Sequence, residues 1–264
     1  MNAHPTAVID PAAEIGGDVE IGPYSIIEAG ARIADGCRIG PHVHIEGDVE
    51  IGENCFVGKG AILGADPQSV DFDKSTPTGL TIGPENEIRE YVTIHRSMLE
   101  GQRTRVGTKN FIMTGAHFGH DCLVGDENVI ANNCLLAGHV ELGNRCFLGG
   151  GSVFHQFIRI GDFVITQGNS GFSLDLPPFL VGARVNRVAG MNVVGLKRGG
   201  FSPEERKEIK AVFRAVLRSE KILSEALQLA AESDWCPAAQ QFLDFFQTEK
   251  PRKYCLQWLK KADD

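Results

Sequence analysis

Starting at Ile15 and moving six residues at a time, the chain meets Ile21, Ile27, Ile33, Ile39, Ile45, Ile51, Val57 and Leu63 without a miss. The series slips by one residue across ADPQSVDFDKSTPTGLTIG, resumes at Ile82, Ile88 and Ile94, and fails at Glu100 within SMLEGQRT. It then runs from Val106 through Ile112, Phe118, Val124, Ile130, Leu136, Leu142, Leu148, Phe154, Ile160 and Thr166 to Phe172. Of these 24 positions 23 are apolar, where a composition that is 42% hydrophobic would place about ten by chance. A period of six matches neither the 3.6-residue beat of an α-helix nor the two-residue alternation of a flat strand. It is the signature of a solenoid, whose repeats bury their apolar residues only by stacking.

A glycine follows the apolar residue at many steps, among them Ile21-Gly22, Ile51-Gly52, Val124-Gly125 and Ile160-Gly161. This pattern resembles the hexapeptide repeat of left-handed parallel β-helices. The resemblance implies a mainly β fold, a triangular prism with three hexads per coil and the apolar residue pointing inward. The glycines are expected at corners, where the backbone angles would bring a β-carbon into a clash. Two residues before each core position the chain has small residues, including Ala31, Cys37, Val43, Cys55, Ala61, Ala116, Cys122, Cys134, Cys146 and Ser152. Five of the seven cysteines fall there, so interior packing explains them better than metal binding.

The two irregularities predict protruding loops near residues 65–80 and 97–104. From about residue 190 the six-residue beat gives way to helical spacing, with Ile209, Val212, Phe213, Val216 and Leu217 on one face. Ser202 and Glu205 form a capping box with Pro203 at the first helical position. The domains are therefore expected to be 1–189, the β-helix, and 190–264, a C-terminal α-helical domain with a further helix in AAQQFLDFFQ.

The first residues have neither a basic region nor an apolar block, and no run of about 20 apolar residues is available to span a bilayer. A cytoplasmic protein is expected, in a reducing compartment where an odd set of cysteines stays unpaired. The net charge of −8 argues against indiscriminate nucleic-acid binding. Residues 182–221 nonetheless carry ten Lys and Arg against four Asp and Glu, a local +6 suited to an acidic partner.

Within this regular frame stand TGAHFGHDCLVG, LAGHVELG and VFHQF. Residues eighteen apart stack one coil above another, about 4.8 Å apart. His120 then lies under Gly138, Gly138 under Gln156, and Asp121 under His139. One column thus offers an imidazole base and, a rung above, a backbone N–H without a side chain in front of it. Acyl transfer needs both, a base for the acceptor's proton and a donor for the developing oxyanion. Asp121 is placed to fix the tautomer of His120. His117, His139 and His155 divide evenly between substrate contact and structure. No GxSxG nucleophile is present, which favours direct transfer over a covalent intermediate.

AHFGHDCLVG, NNCLLAGHV, VFHQF, EYVTIHR and GLKRGGF, in that setting of repeat and helical tail, resemble the UDP-N-acetylglucosamine acyltransferases that open lipid A biosynthesis. The likeness covers essentially the whole chain. It implies a homotrimer that moves an (R)-3-hydroxyacyl group from the phosphopantetheine of acyl carrier protein to the 3-hydroxyl of UDP-N-acetylglucosamine, with no bound cofactor or metal. By resemblance His120 is the general base, Asp121 its orienting acid and Gly138 the oxyanion donor. His117, His139, His155 and Gln156 would line a cleft between subunits, Gln68 and the Asn192 and Arg198 end would meet the nucleotide sugar, and Gly168 would leave room for the acyl tail. The acidic carrier protein fits the basic segment. The chain departs from the family in its first loop, where PQSVDF replaces PQDLKY, so that Ser69 stands for a sugar-contacting acid and Asp71 for a lysine. Val185 replaces a histidine of some members, and Gly199 the second arginine of GLKRRGF.

Three alternatives accompany this reading. The same chemistry on a 3-amino UDP-sugar would give an amide. A zinc-dependent enzyme like the γ-class carbonic anhydrases would use the histidines as ligands. A non-catalytic solenoid would leave the His/Asp/Gly column without a purpose.

Overall fold

The computed structural model describes residues 1–248 and 252–259. Each hexad contributes a strand of about two residues, its apolar residue and the one before it, and then turns. Glu20–Ile21, Ile26–Ile27 and Arg32–Ile33 fall on three different faces, and Arg38–Ile39 returns to pair in parallel with Glu20–Ile21. Repetition builds the expected left-handed parallel β-helix. Face 1 has twelve strands, beginning at Asn2–Ala3, face 2 nine, from Val8–Ile9 to Gly171–Phe172, and face 3 eight, from Glu14–Ile15 to Arg159–Ile160.

From Ile21 to Phe172 every position of the six-residue series is buried, Thr166 included. Each large aliphatic side chain so placed contributes roughly 1.5–3 kcal/mol of transfer free energy. Thr166 is tolerated because its hydroxyl accepts the Gly149 N–H at 2.9 Å. The five interior cysteines are buried and unpaired. Burial pushes the Cys122 and Cys134 thiols up to about 12, which makes them inert packing groups.

The interior also holds a polar column that composition did not reveal. Asn110 donates to Asn86 Oδ1 at 3.0 Å, the Asn128 N–H donates to Asn110 Oδ1 at 2.9 Å, and the Cys146 N–H donates to Asn128 Oδ1 at 2.8 Å. All three asparagines are buried.

One expectation about glycine needs correction. The left-handed backbone falls three residues after the core position, on residues such as Asp121 and His139 (φ 59° and 60°), and not on the glycine directly after it, Gly64 at the start of the first loop excepted. Those glycines answer to the neighbouring coil instead. A β-carbon on Gly22 would lie 2.7 Å from the backbone of Gly40 and Pro41, and one on Gly161 2.5 Å from Pro178. Coil-to-coil spacing, and not a backbone angle, demands the missing side chain.

Both interruptions of the repeat occur on the edge joining face 2 to face 3. The first lies between the strands Ile62–Ala65 and Gly79–Ile82, the second between Thr93–His95 and Arg103–Val106. After Phe172, Leu180–Ala183 continues face 1 and turns back as Arg187–Met191, which pairs with it antiparallel. Among the described residues four helices follow: α1 (Val193–Arg198), α2 (Pro203–Leu217), α3 (Leu223–Ala231) and α4 (Pro237–Asp244). The capping box of α2 has both of its hydrogen bonds, at 3.1 and 2.7 Å. Its five apolar residues named above are buried, with Phe213 against Phe242 of α4. Strand Gln257–Trp258 returns to Arg187–Val188 on face 1. Of the segment 190–264, residues 249–251 and 260–264 lie outside the described residues.

Candidate active site

The edge from face 2 to face 3 carries three successive turns, at 119–121, 137–139 and 155–157, on the coils that follow the two loops. Stacking follows the count of eighteen. The His139 N–H donates to the His120 carbonyl at 2.9 Å, and the Phe157 N–H to the Gly138 carbonyl at 3.1 Å. His120 lies so close under Gly138 that a β-carbon there would stand 2.6 Å from its Cε1 and 2.7 Å from its Nε2. Glycine at 138 therefore makes room for the imidazole itself. Among the described residues the Gly138 N–H has no acceptor.

His120 Nδ1 donates to Asp121 Oδ2 at 2.8 Å, since a carboxylate can only accept. Nε2 is left with its lone pair and no partner among the described residues. Asp121 is itself nearly buried, with side-chain exposure of 8%. On the far side of His120 lies His139, edge to face at 5.0 Å between ring centroids, its other face stacked on Phe157 at 4.4 Å. Burial holds the His139 imidazole below its ordinary range. Side-chain donors of His120, Asp121 and His139 fall within 4.8 Å of one another, a spacing compatible with an ion, but the His120–Asp121 hydrogen bond already occupies that triangle.

Gln68, His95, His117, His120, Gly138 and Gln156 border one hollow of about 370 Å³. His117 bonds Thr93 Oγ1 through Nδ1 at 2.8 Å, and burial, helped by His95, lowers it to about 4, so it is neutral near pH 7. His95 was not singled out from the sequence. It donates Nδ1–H to the Asp66 carbonyl at 2.6 Å and meets the His117 ring at 5.1 Å. Its only advance signal was its place in EYVTIHR. The neighbouring Arg96 pins the first loop by hydrogen bonds to Asp66 Oδ1 and the carbonyls of Lys74 and Thr76, at 2.8–2.9 Å, and so holds Gln68 at the wall.

The remaining expected residues are not brought together in one chain. His155 is exposed and bonds weakly to the Gln156 carbonyl at 3.2 Å. Gly168 lies on the edge from face 1 to face 2, facing Gly150. Asn192 and Arg198 border a separate hollow of about 680 Å³ with Arg145, Phe147 and Phe163, near the edge from face 3 to face 1. Asn192 is buried and caps α1, accepting the Gly195 N–H and donating to the Phe163 carbonyl, both at 2.7 Å. Those bonds tie its amide to α1 and to the prism in this chain.

Comparison with known proteins resolves what such a prism belongs to. Residues 30–65 match the bacterial transferase hexapeptide (six repeats), and residues 175–255 match the family described as Udp N-acetylglucosamine O-acyltransferase, domain 2. The acyl-[acyl-carrier-protein]–UDP-N-acetylglucosamine O-acyltransferase of Janthinobacterium sp. is 48% identical over 243 residues, 91% of this chain and 92% of its own. The chain belongs to the acyl-[acyl-carrier-protein]–UDP-N-acetylglucosamine O-acyltransferase family. Solved structures of the family superpose along nearly the whole length. The UDP-N-acetylglucosamine O-acyltransferase of Moraxella catarrhalis matches with a TM-score of 0.86 at 35% identity, covering 92% of this chain and 96% of that one. The acyltransferase of Francisella novicida matches with a TM-score of 0.90 at 32% identity, covering 98% and 95%. The chain is thus an acyltransferase, and the histidine column lies in an O-acyltransferase scaffold.

Proposed function

We propose that the chain transfers an (R)-3-hydroxyacyl group from acyl carrier protein to the 3-hydroxyl of UDP-N-acetylglucosamine, the first step of lipid A biosynthesis, as a cytoplasmic homotrimer. The observation that carries this reading is the imidazole of His120, tethered through Nδ1 to Asp121, with Nε2 free beside the hollow and Gly138 a coil above. His120 Nε2 takes the proton of the acceptor hydroxyl as its oxygen bonds to the thioester carbonyl carbon. The carbonyl oxygen becomes an oxyanion that accepts the Gly138 N–H. Collapse breaks the carbon–sulfur bond, and the thiolate recovers the proton from His120. Asp121 stabilises the imidazolium between the two steps. His117, neutral by burial, is a hydrogen-bonding wall for the sugar, together with Gln68 and Gln156.

The layout of the prism supports a trimer. Gly168, Asn192 and Arg198 lie on edges other than that of His120, and a second copy set against the first can bring its own edge to the cleft. An arginine suits a nucleotide diphosphate because its guanidinium pairs with phosphate through two hydrogen bonds.

Mass spectrometry of the product tests the proposal, using (R)-3-hydroxyacyl carrier proteins and an equimolar mixture of UDP-N-acetylglucosamine and its 3-amino analogue. An ester on the first is expected. An amide on the second would keep the chemistry and assign acceptor choice to the altered PQSVDF loop, while absence of both products would overturn the reading and turn attention to zinc analysis.

A further inference from the structure

The second interruption of the repeat turns two donors, the Ser97 hydroxyl and the Met98 N–H, toward one carboxylate. Ser97, completely buried, donates its hydroxyl to Asp121 Oδ1. The Leu99 N–H occupies a lone pair of the same hydroxyl at 3.0 Å, which directs its proton toward the carboxylate. The Met98 N–H donates to Asp121 Oδ2 at 3.2 Å, and buried Thr104 accepts the Asp121 N–H at 2.8 Å. Oδ1 is thereby held by the Ser97 hydroxyl, and Oδ2 is shared between the Met98 N–H and His120 Nδ1. Had the hexapeptide count continued through Glu100, an ordinary coil would stand here without these donors.

We infer that Ser97 is a positioning residue for the acyl transfer: its hydroxyl clamps Asp121 Oδ1 so that Oδ2 holds His120 in the tautomer and orientation the reaction needs. The inference rests on the assignment of His120 as base. Ser97 touches no substrate and acts through Asp121 alone. The charged and titratable groups facing Asp121 are His120 on the same turn and His139 from the coil above, whose Nε2 lies 3.8 Å from Oδ2. The buried Cys122 thiol lies next in the chain and stays neutral.

A double-mutant cycle tests this with Ser97→Ala, Asp121→Asn and the pair together, in the intact enzyme with carrier-bound donor. Ser97→Ala is expected to lower kcat roughly tenfold with KM nearly unchanged. Loss of a donor leaves more charge on the carboxylate facing His120, so the acidic limb of the pH–rate profile should move to higher pH. In the Asp121→Asn background the same substitution should change kcat less than twofold, because the path through the carboxylate is already cut. Ser97→Thr, which keeps the hydroxyl, should recover most of the rate, and melting curves of each variant separate a folding defect from a positioning one. A Ser97→Ala profile superimposable on the parent, or effects that add fully with Asp121→Asn, would overturn the inference. His120→Ala measured alongside keeps the two levels apart: full activity there removes the base assignment, whereas an inactive His120→Ala beside an unaffected Ser97→Ala removes only the role of Ser97.

Discussion

Two sides of one imidazole do different work at His120. Nδ1 is committed to Asp121, and Nε2, without a partner among the described residues, is the atom that the proposed mechanism offers to the acceptor hydroxyl. General-base catalysis of this kind is worth about 10²–10⁴ in rate. His120→Ala should therefore lose at least a hundredfold in kcat while its melting temperature stays near that of the parent, since the ring is only partly enclosed. Steady-state kinetics paired with calorimetry reads both quantities at once. His117 makes a prediction about pH. Its folded pKa, about 4, lies below the unfolded value of roughly 6.5, so as pH falls through that window the unfolded chain takes up a proton that the folded one refuses. The stability His117 contributes is present above about pH 6.5 and drains away between there and about pH 4. Urea unfolding at pH 7.5 and pH 5 should show this decline, and His117→Gln should make it shallower.

At the scale of strands and coils, the asparagine column ties neighbouring coils of face 1 through groups sealed from water. Asn110→Ala would strand the Asn128 N–H in the interior, while Asn86 Oδ1 keeps the backbone N–H of residue 110, and should cost about 1–3 kcal/mol in denaturant unfolding. Periodicity offered no hint of it, because the column sits at the position two before the core residue, where small apolar residues otherwise prevail. The histidine column was legible for the opposite reason. Once the hexad count is known, the pairing of His120 with Gly138 and Gln156 is arithmetic. That arithmetic stops at an interruption, so neither His95 beside Asp66 nor Ser97 beside Asp121 could be paired from spacing: their partners lie across loops of irregular length. The helices were legible through their caps and their apolar face. The reason for the glycines was not, since only the separation of adjacent coils reveals which atoms a β-carbon would strike.

On the whole molecule, charge and assembly come forward. Lys207, Lys210 and Arg214 are exposed on α2 at spacings of three and four, in the segment already marked as basic, and none of the three is engaged in an ion pair among the described residues. A stripe of this kind steers an acidic carrier at low ionic strength. Lys207→Glu with Lys210→Glu should lower kcat/KM roughly tenfold for carrier-bound donor at low salt, flatten its salt dependence, and leave turnover of a small pantetheine thioester unchanged. The separation of His120 from Arg198 on different edges carries a second expectation. If the proposed trimer forms its clefts between subunits, co-expressed His120→Ala and Arg198→Ala subunits should regain part of the activity each lacks alone, because mixed assemblies would rebuild some clefts from two sound edges. Complementation assayed on purified mixed oligomers checks it, and a mixture as inactive as its parts would place each complete site within one chain. The site residues had been grouped by resemblance; the hexad count separates Gly168 from His120, 48 residues being no whole number of coils, but it ends before Asn192 and Arg198 and could not place them.

The rise of one coil converts a length of chain into a vertical distance, so the height of Gly138 above His120 is stored as a number of residues between them. Substitutions within those residues leave that number alone, whereas a single inserted residue would rotate every later side chain off its face. New lengths of chain can enter only where the count is already suspended, at 66–78 and 96–102, and both gaps open over the reacting edge. An added residue is thereby absorbed only on the edge that carries His120 and Gly138, where it would reshape what stands beside that column while the spacing of the column stays fixed.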